Sequence, residues 1–239
     1  MNLKRAYKIR TKQDNKNYII DSWRQQLKRY LEPQEGLTDV YEFGVFTGFS
    51  LVTIGNIFVD LDMPVRNLFG LDSFQGLPNE AENSEQLEWA EGNYNSMDHF
   101  EQPTVEECMQ AVDQYWRSAC RLNTKLKLIP GFYNDSLTEQ AIVEHDMGPA
   151  IYVDIDCDLY TSSYTALDFM FKHKLIQPGT IIGYDDWGGT PGYAYGLNGE
   201  SKAHKQICEK YNVECEGLIK LGTEYPYVQT AFFVNSIGG

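Results

Sequence analysis

Long hydrophobic runs are missing from these 239 residues. Stretches such as Ile54 to Leu61 break well short of the ~20 apolar residues that a bilayer-spanning helix needs. No cleavable apolar segment follows Met1, so a soluble chain without a membrane partner is expected. Cysteine is also sparse. The five present, Cys108, Cys120, Cys157, Cys208 and Cys215, form no CxxC pair, and an odd, scattered set argues against a disulfide framework or a zinc site. Reduced thiols and a cytoplasmic location are the expectation. Repeats and low-complexity tracts are absent. A 42% hydrophobic and 13% aromatic composition excludes disorder, collagen and coiled coil, and suits one large α/β domain or two small ones.

Positive charge is scarce too, with 20 Lys and Arg against 34 Asp and Glu for a net −14. Its distribution is uneven. Residues 1–30 hold nine basic residues (Lys4, Arg5, Lys8, Arg10, Lys12, Lys16, Arg24, Lys28, Arg29) against Asp14 and Asp21, which leaves the arm at +7 and the rest at −21. An acidic body repels phosphate backbones and excludes nucleic acid as a partner. The arm is expected to lie on acidic surface, its own or that of a second subunit in a homodimer. An amphipathic helix is expected over Tyr18 to Leu31, so that residues 1–36 form a basic helical arm and 37–239 the main domain.

From residue 38 short apolar runs alternate with helical periods, as in a doubly wound sheet. Seven strands are expected: Asp39–Val45, Asn67–Asp72, Lys125–Ile129, Ala150–Asp156, Thr180–Tyr184, Glu214–Leu221 and Val228–Val234. Val105, Cys108, Met109, Val112 and Trp116 keep helical spacing behind a Thr104/Glu107 capping box. Further helices should follow Thr161 and span Gly199 to Tyr211. The polar stretch 78–102 is long for a connection and suits a lid.

Ligands of open α/β sheets collect at the carboxyl ends of strands, and here three such ends are acidic. Glu42-Phe-Gly44-Val-Phe-Thr-Gly48-Phe-Ser50 places two glycines in a strand-to-helix turn where backbone can approach a ligand closely. It lacks the GxGxxG spacing of a dinucleotide site. One strand over, Asp72 can accept both hydroxyl protons of a ribose, so a nucleoside without a pyrophosphate fits better than NAD. Asp185 and Asp186, adjacent at a strand end, repel each other unless a cation or donor holds them. Hard oxygen ligands from neighbouring strand ends suit Mg²⁺; solvated or helix-capping aspartates are the alternative.

Taken in order, Glu42–Ser50, Asp72-Ser-Phe-Gln-Gly-Leu-Pro78, Pro130-Gly-Phe132, Asp156-Cys-Asp-Leu-Tyr160 and Asp185-Asp186 resemble the macrocin O-methyltransferase (TylF) family of class I S-adenosylmethionine-dependent methyltransferases. The resemblance covers about residues 38–190. It implies a Rossmann-like, seven-stranded, mostly parallel sheet of order 3-2-1-4-5-7-6 with helices on both faces. It also implies S-adenosylmethionine as cofactor, with Glu42, Gly44, Gly48, Ser50, Asp72 and Ser73 as cofactor-binding residues. Asp156, Asp185 and Asp186 carry over as Mg²⁺ ligands, with Asp154, two residues earlier on the same strand face, as the substitute for Asp156.

The function so implied is Mg²⁺-dependent methylation of a small-molecule hydroxyl, on a sugar or polyhydroxylated natural product. A non-catalytic binding module of the same fold is the alternative. A metal on two neighbouring hydroxyls would lower the pKa of one and aim it at the sulfonium methyl. The base would be Asp156 or His99, the latter because it sits in the lid-like stretch. Residues 187–198, rich in Gly and Tyr, depart from the family pattern and form either an acceptor-recognition loop or a flexible connection.

Overall fold

In the computed structural model, which describes residues 23–80, 89–188, 198–220 and 228–238, seven strands form one sheet. They are β1 Asp39–Phe43, β2 Leu68–Asp72, β3 Leu126–Pro130, β4 Ala150–Ile155, β5 Ile181–Gly188, β6 Val213–Lys220 and β7 Val228–Ile237. Their order is β3-β2-β1-β4-β5-β7-β6, and every pairing is parallel except the antiparallel β5–β7 and β7–β6. This is the sheet the family resemblance implies.

Because parallel strands are joined by crossovers, helices cover both faces and the central strands are buried throughout. On one face Val40, Leu68, Ile151 and Ile181 pack under helix α1 (Phe49–Asp60), helix α3 (Val105–Ala119) and an N-terminal 3₁₀ helix (Arg24–Arg29). On the other, Tyr41, Phe43, Val153, Ile155 and Ile182 pack under α6 (Tyr160–Lys172) and α7 (Gly199–Tyr211). Three short helices complete the chain order: α2 (Ser96–Phe100), α4 (Tyr133–Ser136) and α5 (Glu139–His145). Thr104 caps α3, its hydroxyl accepting from the Glu107 backbone N–H at 3.2 Å and donating to the Glu107 carboxylate at 2.7 Å.

Three local departures from the sequence expectation shape the site. β1 stops at Phe43 rather than Val45, since Gly44 turns to φ +93°. β5 runs on past Tyr184 to Gly188 because β7 continues to pair with it across a register shift, so Asp185, Asp186 and Trp187 lie within a strand. The α-helix expected over Tyr18–Leu31 is, in the described part, the 3₁₀ helix Arg24–Arg29, and residues 18–22 lie outside the described residues. Trp23, Leu27 and Leu31 nevertheless belong to the sheet's own core. Within 78–102, Asn95 caps α2, and 81–88 lie outside the described residues.

Candidate active site

The glycine turn between β1 and α1 is held by one carboxylate. Both Val45 and Phe46 donate their backbone N–H groups to Asp72 Oδ2, at 2.7 and 2.9 Å, and Phe74 donates to Oδ1 at 2.6 Å. Burial pushes the Asp72 carboxyl up, and these N–H groups pull it back. Three acceptor positions are thus taken by backbone N–H groups, and the Ser73 side chain also bonds this carboxylate. Gly44 is obligatory: a Cβ there would stand 1.7 Å from the backbone oxygen of Asp156. Gly48 (φ +78°) opens α1, and Ser50 lies in the first turn of that helix. Ser73 turns inward, its hydroxyl donating to the Gly76 carbonyl at 3.0 Å and accepting from the Gln75 N–H at 3.0 Å.

Beyond this turn, on the β4 and β5 side, carboxylates crowd together. Contacts with Arg24 place Asp154, Asp156 and Asp185 on the face of the 3₁₀ helix, while the Asp186 backbone N–H meets α7 at Glu200. Ligand oxygens of Asp156, Asp185 and Asp186 lie within 4.8 Å of one another, as do those of Glu42, Asp154 and Asp156. Burial, with Asp185 next in effect, holds the Asp156 carboxyl well above its ordinary range. Asp154 is raised by burial against the opposing pull of Arg24, and its Oδ1 accepts from the Tyr152 hydroxyl at 2.6 Å. Asp186 is pushed well up by burial and then by its neighbour Asp158. Asp158 accepts from Trp89 Nε1 at 2.7 Å, and the Asp186 backbone N–H donates to the buried Glu200 at 3.0 Å.

A guanidinium already balances much of this charge. Arg24, whose side chain is only 4% exposed, reaches Asp154 Oδ2 at 2.7 Å, Asp156 Oδ2 at 2.9 Å and Asp185 Oδ1 at 3.4 Å. Trp23 Nε1 donates to the same Asp185 oxygen at 2.7 Å. The donor set of Asp156, Asp185 and Asp186 suits a small hard cation in number, type and spacing. Two of its three members are bridged by Arg24, so an ion would take over carboxylate oxygens that the guanidinium now holds.

Of the residues expected from the sequence, the strand ends bring together Glu42, Asp154, Asp156, Asp185 and Asp186, with Gly44 packed on Asp156. Gly48, Ser50, Asp72 and Ser73 line the turn at the β1 and β2 ends. His99 lies on α2, its ring edge-on to Phe46 at 5.0 Å, which places it on the turn. Residues 189–197 of the Gly/Tyr-rich loop lie outside the described residues, whereas Trp187 packs on Tyr184 and Phe232. Sequence reasoning missed Arg24, Trp89 and Glu200. The only signal for the first was the opposite sign of arm and body, and for the others there was none.

The macrocin O-methyltransferase (TylF) family model matches residues 24–212. Among solved structures the chain is similar to the O-methyltransferase NovP, with 18% identity and a TM-score of 0.60 over 89% of this chain and 78% of that one. It is similar to the calicheamicin methyltransferase CalS11, with 16% identity and a TM-score of 0.59 over 89% and 76%. An apo structure of CalS11, a TDP-rhamnose 3'-O-methyltransferase of calicheamicin biosynthesis, matches at 17% identity with a TM-score of 0.54 over 88% and 77%. A search of the curated proteins gives no match.

Proposed function

The chain belongs to the macrocin O-methyltransferase (TylF) family of S-adenosylmethionine-dependent methyltransferases, and from that premise we propose that it methylates a hydroxyl of a small molecule with Mg²⁺ held by Asp156, Asp185 and Asp186. The observation that carries this reading is the convergence of those carboxylates within 4.8 Å, on strand ends whose backbone touches the glycine turn at Gly44. The acceptor is a sugar or a polyhydroxylated natural product; the TDP-rhamnose methyltransferase CalS11, alike in fold, supports a sugar.

Within that scheme Glu42, Gly44, Gly48, Ser50, Asp72 and Ser73 form the cofactor side, with Asp72 on the ribose. S-adenosylmethionine supplies the methyl group. When bound, Mg²⁺ would lower the pKa of the acceptor hydroxyl. Asp156 or His99, the latter beside Phe46, takes the hydroxyl proton. The stretch 78–102 serves as a lid and excludes water through Trp89, which docks on Asp158. Loop 187–198 supplies acceptor contacts beyond Trp187.

Turnover and cofactor affinity, each measured with and without EDTA on a panel of sugar acceptors, test the reading. Wild type should lose turnover in EDTA and regain it with Mg²⁺. Asp185→Asn should bind cofactor normally while its rate falls more than ~100-fold, since even supporting groups around a metal cost 10–100-fold. Full activity in EDTA would falsify the metal role. Cofactor binding without transfer to any acceptor would favour a binding module.

We further propose a cytoplasmic homodimer whose basic arms, residues 1–36, lie on acidic surface of the assembly. The five free cysteines and the separation of charge support it. Among the described residues, no helix is long and apolar enough to cross a membrane. Light scattering should return a dimer mass for the full chain, and a monomer mass would refute the assembly.

A further inference from the structure

A second cluster, on the far side of β5 from Arg24, is built from softer donors. Helix α7 presents His204 and Cys208 one turn apart, so both point the same way. The chain then reverses at Asn212 (φ +48°), and β6 brings Cys215 back toward them. His204 Nε2 lies 3.4 Å from Cys208 Sγ, and the three donor atoms are all within 4.8 Å of one another.

The imidazole is held in place for ligation. Its Nδ1 is 2.8 Å from the hydroxyl of the fully buried Tyr184, which leaves Nε2 facing the thiols. Its ring stacks on Phe232 at 4.4 Å and meets Trp187 edge-on at 5.1 Å. A polar partner on the second ring nitrogen is how metal-binding histidines are commonly oriented.

We propose that His204, Cys208 and Cys215 bind Zn²⁺ as a site of three protein ligands. Two thiolates and an imidazole are the soft donors that Zn²⁺ takes, with water able to complete a tetrahedron at this half-buried position. Bonds of ~2.3 Å to sulfur and ~2.0–2.1 Å to nitrogen, set at the tetrahedral angle, put those two atoms about 3.5 Å apart. The observed 3.4 Å already matches that edge. Loading releases both thiol protons to solvent. The ion would tie α7 to β6 and, through Tyr184, to the β5 residues immediately before Asp185 and Asp186. It is independent of the methyltransfer scheme.

Protein prepared in reductant with Zn²⁺ in the growth medium is analysed for metal by mass spectrometry, and the stripped chain is then titrated with Co²⁺. Wild type and Asp185→Asn should each carry about one equivalent of zinc. Both should also give the thiolate-to-cobalt absorption and the strong visible bands of tetrahedral Co²⁺. Cys208→Ser and Cys215→Ser should lose both signals. Should either variant fail to fold, the cobalt spectrum of the wild type decides alone. Folded wild type without zinc and without thiolate–cobalt absorption overturns the site. So does a Cys208–Cys215 disulfide, seen as the loss of two hydrogens, in protein that takes up no metal.

Discussion

Two carboxylate stations stand at the carboxyl ends of strands in the same sheet, and they are stabilised in opposite ways. Among the described residues no basic side chain bonds Asp72; its charge is spread over three backbone N–H groups, two of them in the glycine turn. Asp154, Asp156 and Asp185 instead share the guanidinium of a residue that the chain brings from 130 or more positions away. Backbone dipoles belong to the fold and cannot be exchanged without remaking it. A side-chain cation is held by the same attraction as any other cation and can be replaced by one. The first station is suited to constant shape, the second to changing occupancy.

The contrast can be broken most severely at its seam. Gly44→Ala forces a side chain into the Asp156 backbone at a φ that disfavours it, so folding should weaken by more than about 4 kcal/mol. An unchanged thermal midpoint would mean that turn and cluster are not in contact. Arg24→Ala leaves buried carboxylates without their partner, and about 3–5 kcal/mol of stability should be lost in the absence of divalent ions. If guanidinium and ion compete, calorimetry should find Mg²⁺ bound at least ~10-fold more tightly by this variant, a gain of about 1.4 kcal/mol. Equal affinities would separate the two cations and leave Arg24 a purely structural role. Asp72→Ala is the mildest. Cofactor affinity should fall about tenfold or more, because a hydrogen bond to a charged acceptor contributes ~1.5–3 kcal/mol. Undiminished binding would remove Asp72 from the cofactor side.

Much of this was legible before any coordinates. The seven strands were visible because both faces of a parallel sheet are covered, so runs such as Ala150 to Ile155 are apolar almost throughout and stand out from their polar flanks. Boundaries were less so. Nothing in Tyr184-Asp185-Asp186 indicates that β7 pairs past the acidic pair and keeps it in a strand, because that depends on a partner more than forty positions later. The 3₁₀ segment was read as α because Trp23, Leu27 and Leu31 keep the α spacing of four, but only Leu27 lies within it and the other two flank it. Arg24 was one of nine basic residues in the arm, and which of them reaches the cluster is decided by where the core seats Trp23 and Leu27. Cys208 and Cys215 were read as arguing against a zinc site because they form no CxxC pair, and their meeting with His204 was not visible for a similar reason. The three residues span a helix, a reversal at Asn212 and a strand, and only the fold closes that distance.

Trp23 has a consequence of a different kind. Its indole N–H bonds Asp185 while its ring lies against the Arg24 guanidinium, with the cation 4.6 Å from the ring centroid. Trp89, one of the other three tryptophans, likewise bonds a carboxylate at the same end of the sheet. Indole emission shifts with the charge beside it, so half of the chain's strongest fluorophores look directly onto the acidic end of the sheet. The protein therefore carries its own optical gauge of what occupies that place, readable in solution without a label.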